Sequence, residues 1–114
     1  MKFNILKGGE EVVLMNNKVH NLRTGDRPVP SGYSSWLDYW EKSTEIKATA
    51  CHNTDCRVSA RYTTLDGAHV QRDTPNDNHW WIVPLCHKCN TQFGAHFTVA
   101  GPLVRVTDPT VIHK

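Results

Sequence analysis

Residues 51–56 read CHNTDC and residues 86–89 read CHKC, and together these two segments contain all four cysteines of the 114-residue chain. They form a C-x4-C pair and a C-x2-C pair, with 29 residues between them. Each close pair can supply two ligands of a tetrahedral metal ion from one tight backbone turn. The spacing therefore predicts one structural zinc ion, bound by Cys51, Cys56, Cys86 and Cys89.

Two disulfides are the alternative use of these cysteines. A bridge within either pair would close a very short loop and contribute only about 2 kcal/mol, whereas a structural zinc in a small fold contributes on the order of 10 kcal/mol. The N-terminal sequence MKFNILKGGEE lacks the apolar segment of a secretory signal. This favours a cytoplasmic, reducing location, where disulfides are rare. His52 and His87 each follow a cysteine and could replace one thiolate, but four cysteines already complete a zinc site.

Length and charge limit the classes of function. The length favours a single domain over residues 1–114, and no apolar run approaches the roughly 20 residues that cross a bilayer. We therefore expect no membrane partner. The 13 basic and 11 acidic side chains give a net charge of +2, which is too balanced to indicate a nucleic-acid ligand by itself. Six of the seven histidines follow residue 51, so the chemistry is concentrated in the second half.

Hydrophobic patterns predict an α+β fold with three parts. Residues 1–47 should form short strands and then a helix over residues 35–43, because Ser35 and Asp38 resemble a capping box. Trp36 and Trp40 lie four residues apart on that helix, and we expect them to pack onto the domain rather than to stack on bases.

The central part, residues 48–95, should carry strands at residues 58–62, 68–70 and 80–83. The polar loop 72–79 separates the last two strands, and a short helix should run from His87 to Gly94. Residues 97–99 and 103–106 flank Gly101 and Pro102, which predicts a closing hairpin and tail over residues 96–114.

The order of motifs in residues 48–95 resembles the HNH endonuclease family in its zinc-bound ββα-metal, or treble-clef, form. The resemblance lies in the C-x4-C pair, the dipeptide His69-Val70, and the segment PLCHKCN at residues 84–90. It implies that His69 is the general base and that Asn78 braces its strand, with Asn76 as second choice. It also implies that Asn90 holds a catalytic Mg²⁺ or Mn²⁺ ion.

One departure from that family concerns the residue before the histidine. The family usually has Asp or His there as a metal ligand, whereas this chain has Ala68. Asp66 would share a face with Ala68 on a regular strand, one pleat away. The resemblance therefore implies an incomplete catalytic site. A purely structural role is the competing interpretation for His69, Asn78 and Asn90.

These observations leave three hypotheses for function. The first is a zinc protein that binds nucleic acid and has weakened or lost phosphodiester hydrolysis, with DNA favoured over RNA as the ligand. The second is an active metal-dependent endonuclease that uses His69 as its base. The third is a zinc-stabilised protein-interaction module, in which Trp80, Trp81 and the N-terminal segment form the surface. Five basic residues could contact phosphates: Arg57, Arg61, Arg72, Lys88 and Arg105. For each of them an ordinary solvated surface position is the favoured interpretation.

Overall fold

Seven short strands and two helices form the described part of the chain, which in this computed structural model comprises residues 3–5, 11–23 and 27–106. The strands are β1 Phe3–Ile5, β2 Glu11–Val13, β3 Asn17–Asn21, β4 Leu65–Arg72, β5 Trp81–Cys86, β6 His96–Val99 and β7 Leu103–Arg105. The helices are α1 Trp36–Thr44 and α2 His87–Asn90. Neither helix is long or apolar enough to span a bilayer. The predicted α+β class is confirmed.

All seven strands form one antiparallel sheet in the order β1-β2-β7-β5-β4-β3-β6. Strand β2 pairs with β7 through Val13 and Leu103, and β3 pairs with β6 through Asn17 and Val99. The segment from β2 to β3 therefore runs beside the segment from β6 to β7, and the two form one bent ribbon. The ribbon joins β5 at one end and β4 at the other, and the sheet curls as a result. At the bend, a side chain on Gly101 would collide with the carbonyl of Leu14.

The bent ribbon overturns the predicted closing hairpin, because β6 and β7 pair with β3 and β2 rather than with each other. Each finds its partner 76 to 92 residues away in sequence, and short-range patterns do not reveal such pairing. The predicted strand at residues 58–62 is also wrong. Only Ser59 makes a bridge, to Ala50, and a turn follows it. The predicted tail, residues 107–114, lies outside the described residues.

The two faces of the curled sheet bury separate apolar clusters. The concave face holds Val13, Val19, Ala68, Val70, Trp81, Val83, Leu85, Phe97, Val99 and Leu103, together with Cys51, Cys86 and Cys89. The convex face packs against α1 and holds Val12, Ile82, Val104 and Val106 with Tyr39, Trp40 and Ala48. This division decides which side chains can reach the cysteines.

Helix α1 begins where the sequence predicts. The Ser35 hydroxyl accepts a hydrogen bond from the Asp38 N–H at 2.9 Å, and Glu45 ends the helix in a left-handed conformation with φ of 60°. The Trp40 indole donates to the Pro102 carbonyl at 2.8 Å, which ties the helix to the bend of the ribbon. Gly67 allows close contact, because a side chain there would collide with the backbone of Trp36 and Leu37.

Candidate metal centre

The four cysteine sulfurs come together at one end of the concave face. Their Sγ atoms all lie within 4.8 Å of one another, and those of Cys56 and Cys86 are 3.9 Å apart. A tetrahedral ion with metal–sulfur bonds of about 2.3 Å separates its ligands by about 3.8 Å. All four cysteines are free, so neither of the two disulfides considered as the alternative to zinc is formed. The arrangement fits a structural metal site on the predicted residues.

Backbone hydrogen bonds fix the loop that carries the first two cysteines. Cys51 N–H donates to the Val58 carbonyl at 2.9 Å, and Cys56 N–H donates to the Asn53 carbonyl at 2.9 Å. Arg57 adopts a left-handed conformation with φ of 59°, which turns the chain back after Cys56. The Asn53 amide also donates to Cys89 Sγ at 3.5 Å, so Asn53 links the two halves of the site. The loop is therefore held in place by contacts other than the metal.

The second cysteine pair sits where β5 passes into α2. Cys86 pairs with Leu65 across the sheet and is the residue that precedes the helix. The helix has only four residues and ends at Asn90, short of the predicted end at Gly94. One helical turn is enough to bring the Cys89 sulfur back beside that of Cys86.

The buried thiols need a cation in order to ionise. Burial raises the pKa of Cys51 and also that of Cys89, whereas a backbone hydrogen bond from Val58 lowers the pKa of the exposed Cys56. A bound metal ion supplies the positive charge that stabilises coordinated thiolates. The neighbouring histidines stay outside the ligand set: His52 Nδ1 lies 2.8 Å from the Ala100 carbonyl, and His87 Nδ1 lies 3.2 Å from Asp66.

His69 lies on β4 and faces α1 instead of the cysteines. His69 is only 6% exposed. Its ring packs edge-on against the rings of Trp36 and Trp80, with centroid distances of 4.6 and 6.0 Å. Among the described residues its Nε2 has no hydrogen-bond partner. Burial, assisted by the positive charge of Arg27, lowers the pKa of His69 from 6.5 to about 4.

This lowered pKa couples the stability of the fold to pH. The unfolded chain takes up a proton at His69 near pH 6.5, whereas the folded protein takes it up only near pH 4. Stability from this residue is therefore complete above pH 6.5 and is lost as the pH falls toward 4. At neutral pH the imidazole is uncharged and enclosed by aromatic rings, without the access to solvent that a general base needs.

Asn90 lies on the other side of the sheet and contacts Asp66. Its side-chain amide donates to the Asp66 carboxylate at 3.0 Å, and its backbone carbonyl accepts from the Asn21 side-chain amide at 2.6 Å. Asp66 and His69 are three residues apart on one strand, so their side chains point to opposite faces. The structure therefore brings Asn90 to Asp66, with His87 beside them, and does not bring Asn90 to His69.

The loop that was expected to brace His69 is organised by Asp77 instead. Asn78 and Asn76 are exposed, and Asn76 has a left-handed conformation with φ of 67°. The Asp77 carboxylate accepts from Arg72 at 3.0 Å and from the Trp81 indole at 3.2 Å. The sequence did not indicate Asp77, because its partners Arg72 and Trp81 come together only when β4 and β5 pair.

Trp81 is 1% exposed, so it cannot belong to the protein-interaction surface that the sequence suggested.

Comparison with family models, with curated proteins and with solved structures finds no match to this chain. The arguments for its function therefore come from its own residues.

Proposed function

We propose that this chain is a zinc-stabilised protein that binds single-stranded nucleic acid and does not hydrolyse it. Zinc is the ion that best suits four thiolates in a tetrahedron, with an iron–sulfur centre as the chemical alternative. The closed set of four cysteines leaves no open position for catalysis. The metal's role is therefore to fix the fold and the loops around it.

The observation that carries the proposal is an exposed basic and aromatic loop, residues 57–62, which we name the arginine–tyrosine loop. Tyr62 is 81% exposed; exposed Arg61 directly precedes it, and exposed Arg57 lies five residues earlier. Aromatic rings interleaved with cations are typical of surfaces that stack unpaired bases and contact phosphates. An exposed ring next to exposed arginines is the feature of this loop that a base could stack on.

Hydrogen bonds within the loop and to the segment around Cys51 hold it in place. The loop begins directly after Cys56, and Arg57 Nη1 donates to the Cys51 carbonyl at 3.3 Å. Ala60 N–H donates to the Thr49 carbonyl at 2.9 Å, and Tyr62 N–H donates to the Ser59 carbonyl at 3.0 Å. A ring on a fixed loop loses less entropy when it binds than one on a loose loop.

The charges near the metal favour an anionic ligand. Lys88 is exposed on α2 between the two cysteines of the second pair, as Arg57 and Arg61 are exposed after the first pair. Asp55 is the exposed acid of the first cysteine loop. Asp66 is hydrogen-bonded by Asn90 and His87. Three phosphate contacts give weak binding with a salt slope of about −2 on single strands.

The position of His69 supports the proposed lack of hydrolysis. A general base must reach the water that it activates, but His69 is packed against Trp36 and Trp80 on the face opposite Asn90. Asp66 and Asn90 alone offer one carboxylate and one amide, and they already satisfy each other at 3.0 Å.

Fluorescence anisotropy with labelled single-stranded and duplex DNA oligonucleotides at low salt tests this proposal. We expect tighter binding of the single strand, and a loss of about 5- to 150-fold for Tyr62→Ala, as removal of one base-stacking ring predicts. Tyr62→Phe keeps the ring and should bind like the wild type. Lys18→Gln, a charge change on β3, is the matched control for Arg61→Gln, which should flatten the salt dependence.

Two results would overturn the proposal. One is a folded, metal-loaded protein that binds neither DNA nor RNA single strands at low salt, which would favour the protein-interaction hypothesis. The other is nicking of supercoiled plasmid with Mg²⁺ or Mn²⁺ that His69→Ala abolishes, which would show an active endonuclease.

A further inference from the structure

A second group of metal-ligating side chains lies on the convex face of the sheet, outside the cysteine site. His20 Nδ1 is 2.8 Å from one oxygen of Asp73, and His96 Nδ1 is 2.7 Å from the other oxygen. The ligand atoms of the three residues all lie within 4.8 Å of one another. The two imidazole rings are 5.1 Å apart and tilted by 36°.

Three strands place these side chains. His20 on β3 pairs directly with His96 on β6, so the two rings leave the sheet side by side. Asp73 follows β4, which pairs with β3 on its other edge. The Asp73 N–H donates to the Lys18 carbonyl at 2.9 Å, and this bond turns the carboxylate toward the histidines. The cluster is therefore built on the sheet and not on a free loop.

We propose that His20, His96 and Asp73 form a second metal site, which binds a divalent transition-metal ion such as Zn²⁺, Co²⁺ or Ni²⁺. Two imidazoles and one carboxylate are a donor set that suits these ions. Ligands about 2.1 Å from one ion are separated by about 3.0 to 3.4 Å, depending on the bond angle. The two N···O distances are 2.8 and 2.7 Å, and they need to open by about 0.2 to 0.7 Å to reach that range.

The exposure of the cluster suits an exchangeable ion. The side chains of His20, Asp73 and His96 are 27%, 22% and 56% exposed, so water can occupy the remaining coordination positions. Lys18 lies two residues before His20 on the same face, and its positive charge opposes a cation. We therefore expect weaker binding here than at the four cysteines, which are mostly buried.

Calorimetric titration of Zn²⁺ into the full chain, already loaded at the cysteines, tests this site. The wild type should bind one further ion, for a total of two per chain. Asp73→Asn and His96→Gln should each weaken the second event by at least about tenfold, since even residues that only support metal ligands change affinity by 10- to 100-fold. His79→Gln removes an exposed histidine outside the cluster and should leave both events unchanged.

A second measurement keeps the test decisive if a variant fails to fold. Substoichiometric Ni²⁺ added to the zinc-loaded wild type should broaden the NMR signals of His20, Asp73 and His96 before those of His79. A stoichiometry that stays at one ion, or broadening that does not centre on the cluster, would overturn the second site. Neither outcome depends on whether the protein binds nucleic acid.

Discussion

Replacement of Asp77 by alanine tests whether this residue organises the loop between β4 and β5. Its side chain is 7% exposed and forms an ion pair with Arg72, which is 3% exposed, at 3.0 Å. It also accepts hydrogen bonds from the Trp81 indole at 3.2 Å and from the His79 N–H at 3.0 Å. Asp77→Ala removes all three contacts and leaves the arginine buried.

The magnitude follows from that burial. Loss of one partner of a buried ion pair destabilises a protein by about 3 to 5 kcal/mol. Arg72 keeps its hydrogen bond to Asn17 at 3.0 Å and its position over the Trp81 ring at 5.4 Å, so we expect the lower end of that range. A loss of about 3 kcal/mol is a large part of the 5 to 15 kcal/mol that stabilises a typical domain.

Urea unfolding followed by tryptophan fluorescence measures this change at constant pH with the metal bound. Asn78→Ala is the matched control, because Asn78 is exposed in the same loop and should change the free energy of unfolding by less than about 0.5 kcal/mol. The double variant Arg72→Met with Asp77→Ala should recover much of the loss. A larger effect at Asn78 than at Asp77 would refute this account of the loop.

Three further substitutions test other contacts of β4. His69→Phe should remove up to about 3 kcal/mol of the stability that the wild type loses between pH 6.5 and about 4. Unfolding curves of both proteins across that range measure the difference, and an unchanged pH dependence in the variant would contradict the buried neutral imidazole. Gly67→Ala should destabilise by about 1 to 3 kcal/mol because α1 must move away, and a melting temperature equal to that of the wild type would contradict the close packing. Ala68→Asp should destabilise without creating cleavage, since residue 68 is 1% exposed on the concave face; a folded variant that nicks plasmid with Mg²⁺ would contradict this.

Local signals in the sequence were sufficient for the helix and for the metal ligands. Ser35 and Asp38 lie one helical turn apart, and the cap that they predict forms. The cysteine spacing identifies two turns that can each hold half of a tetrahedron, and the structure brings the four sulfurs together. Both features depend on residues close in sequence, where geometry follows from spacing.

Features that depend on distant pairing were not predictable. Phe97 and Leu103 flank a turn, yet their strands pair with β3 and β2, which lie far earlier in the sequence. The cluster of His20, Asp73 and His96 is likewise spread over three strands and has no sequence signature.

The opposed directions of Asp66 and His69 were readable from strand alternation alone. The sequence did not indicate which of them would share a face with Asn90. That choice follows from the packing of α1 over Gly67 and of α2 beside the cysteines.

X-ray absorption at the zinc edge, combined with elemental analysis of the purified full chain, tests most directly whether four thiolates hold this fold. Zinc at the cysteine site should show four sulfur neighbours at about 2.3 Å. Any second ion on the histidine cluster should be removed first by mild dialysis. Folded protein that contains no metal, or cysteines that resist alkylation because they are paired as disulfides, would contradict the account.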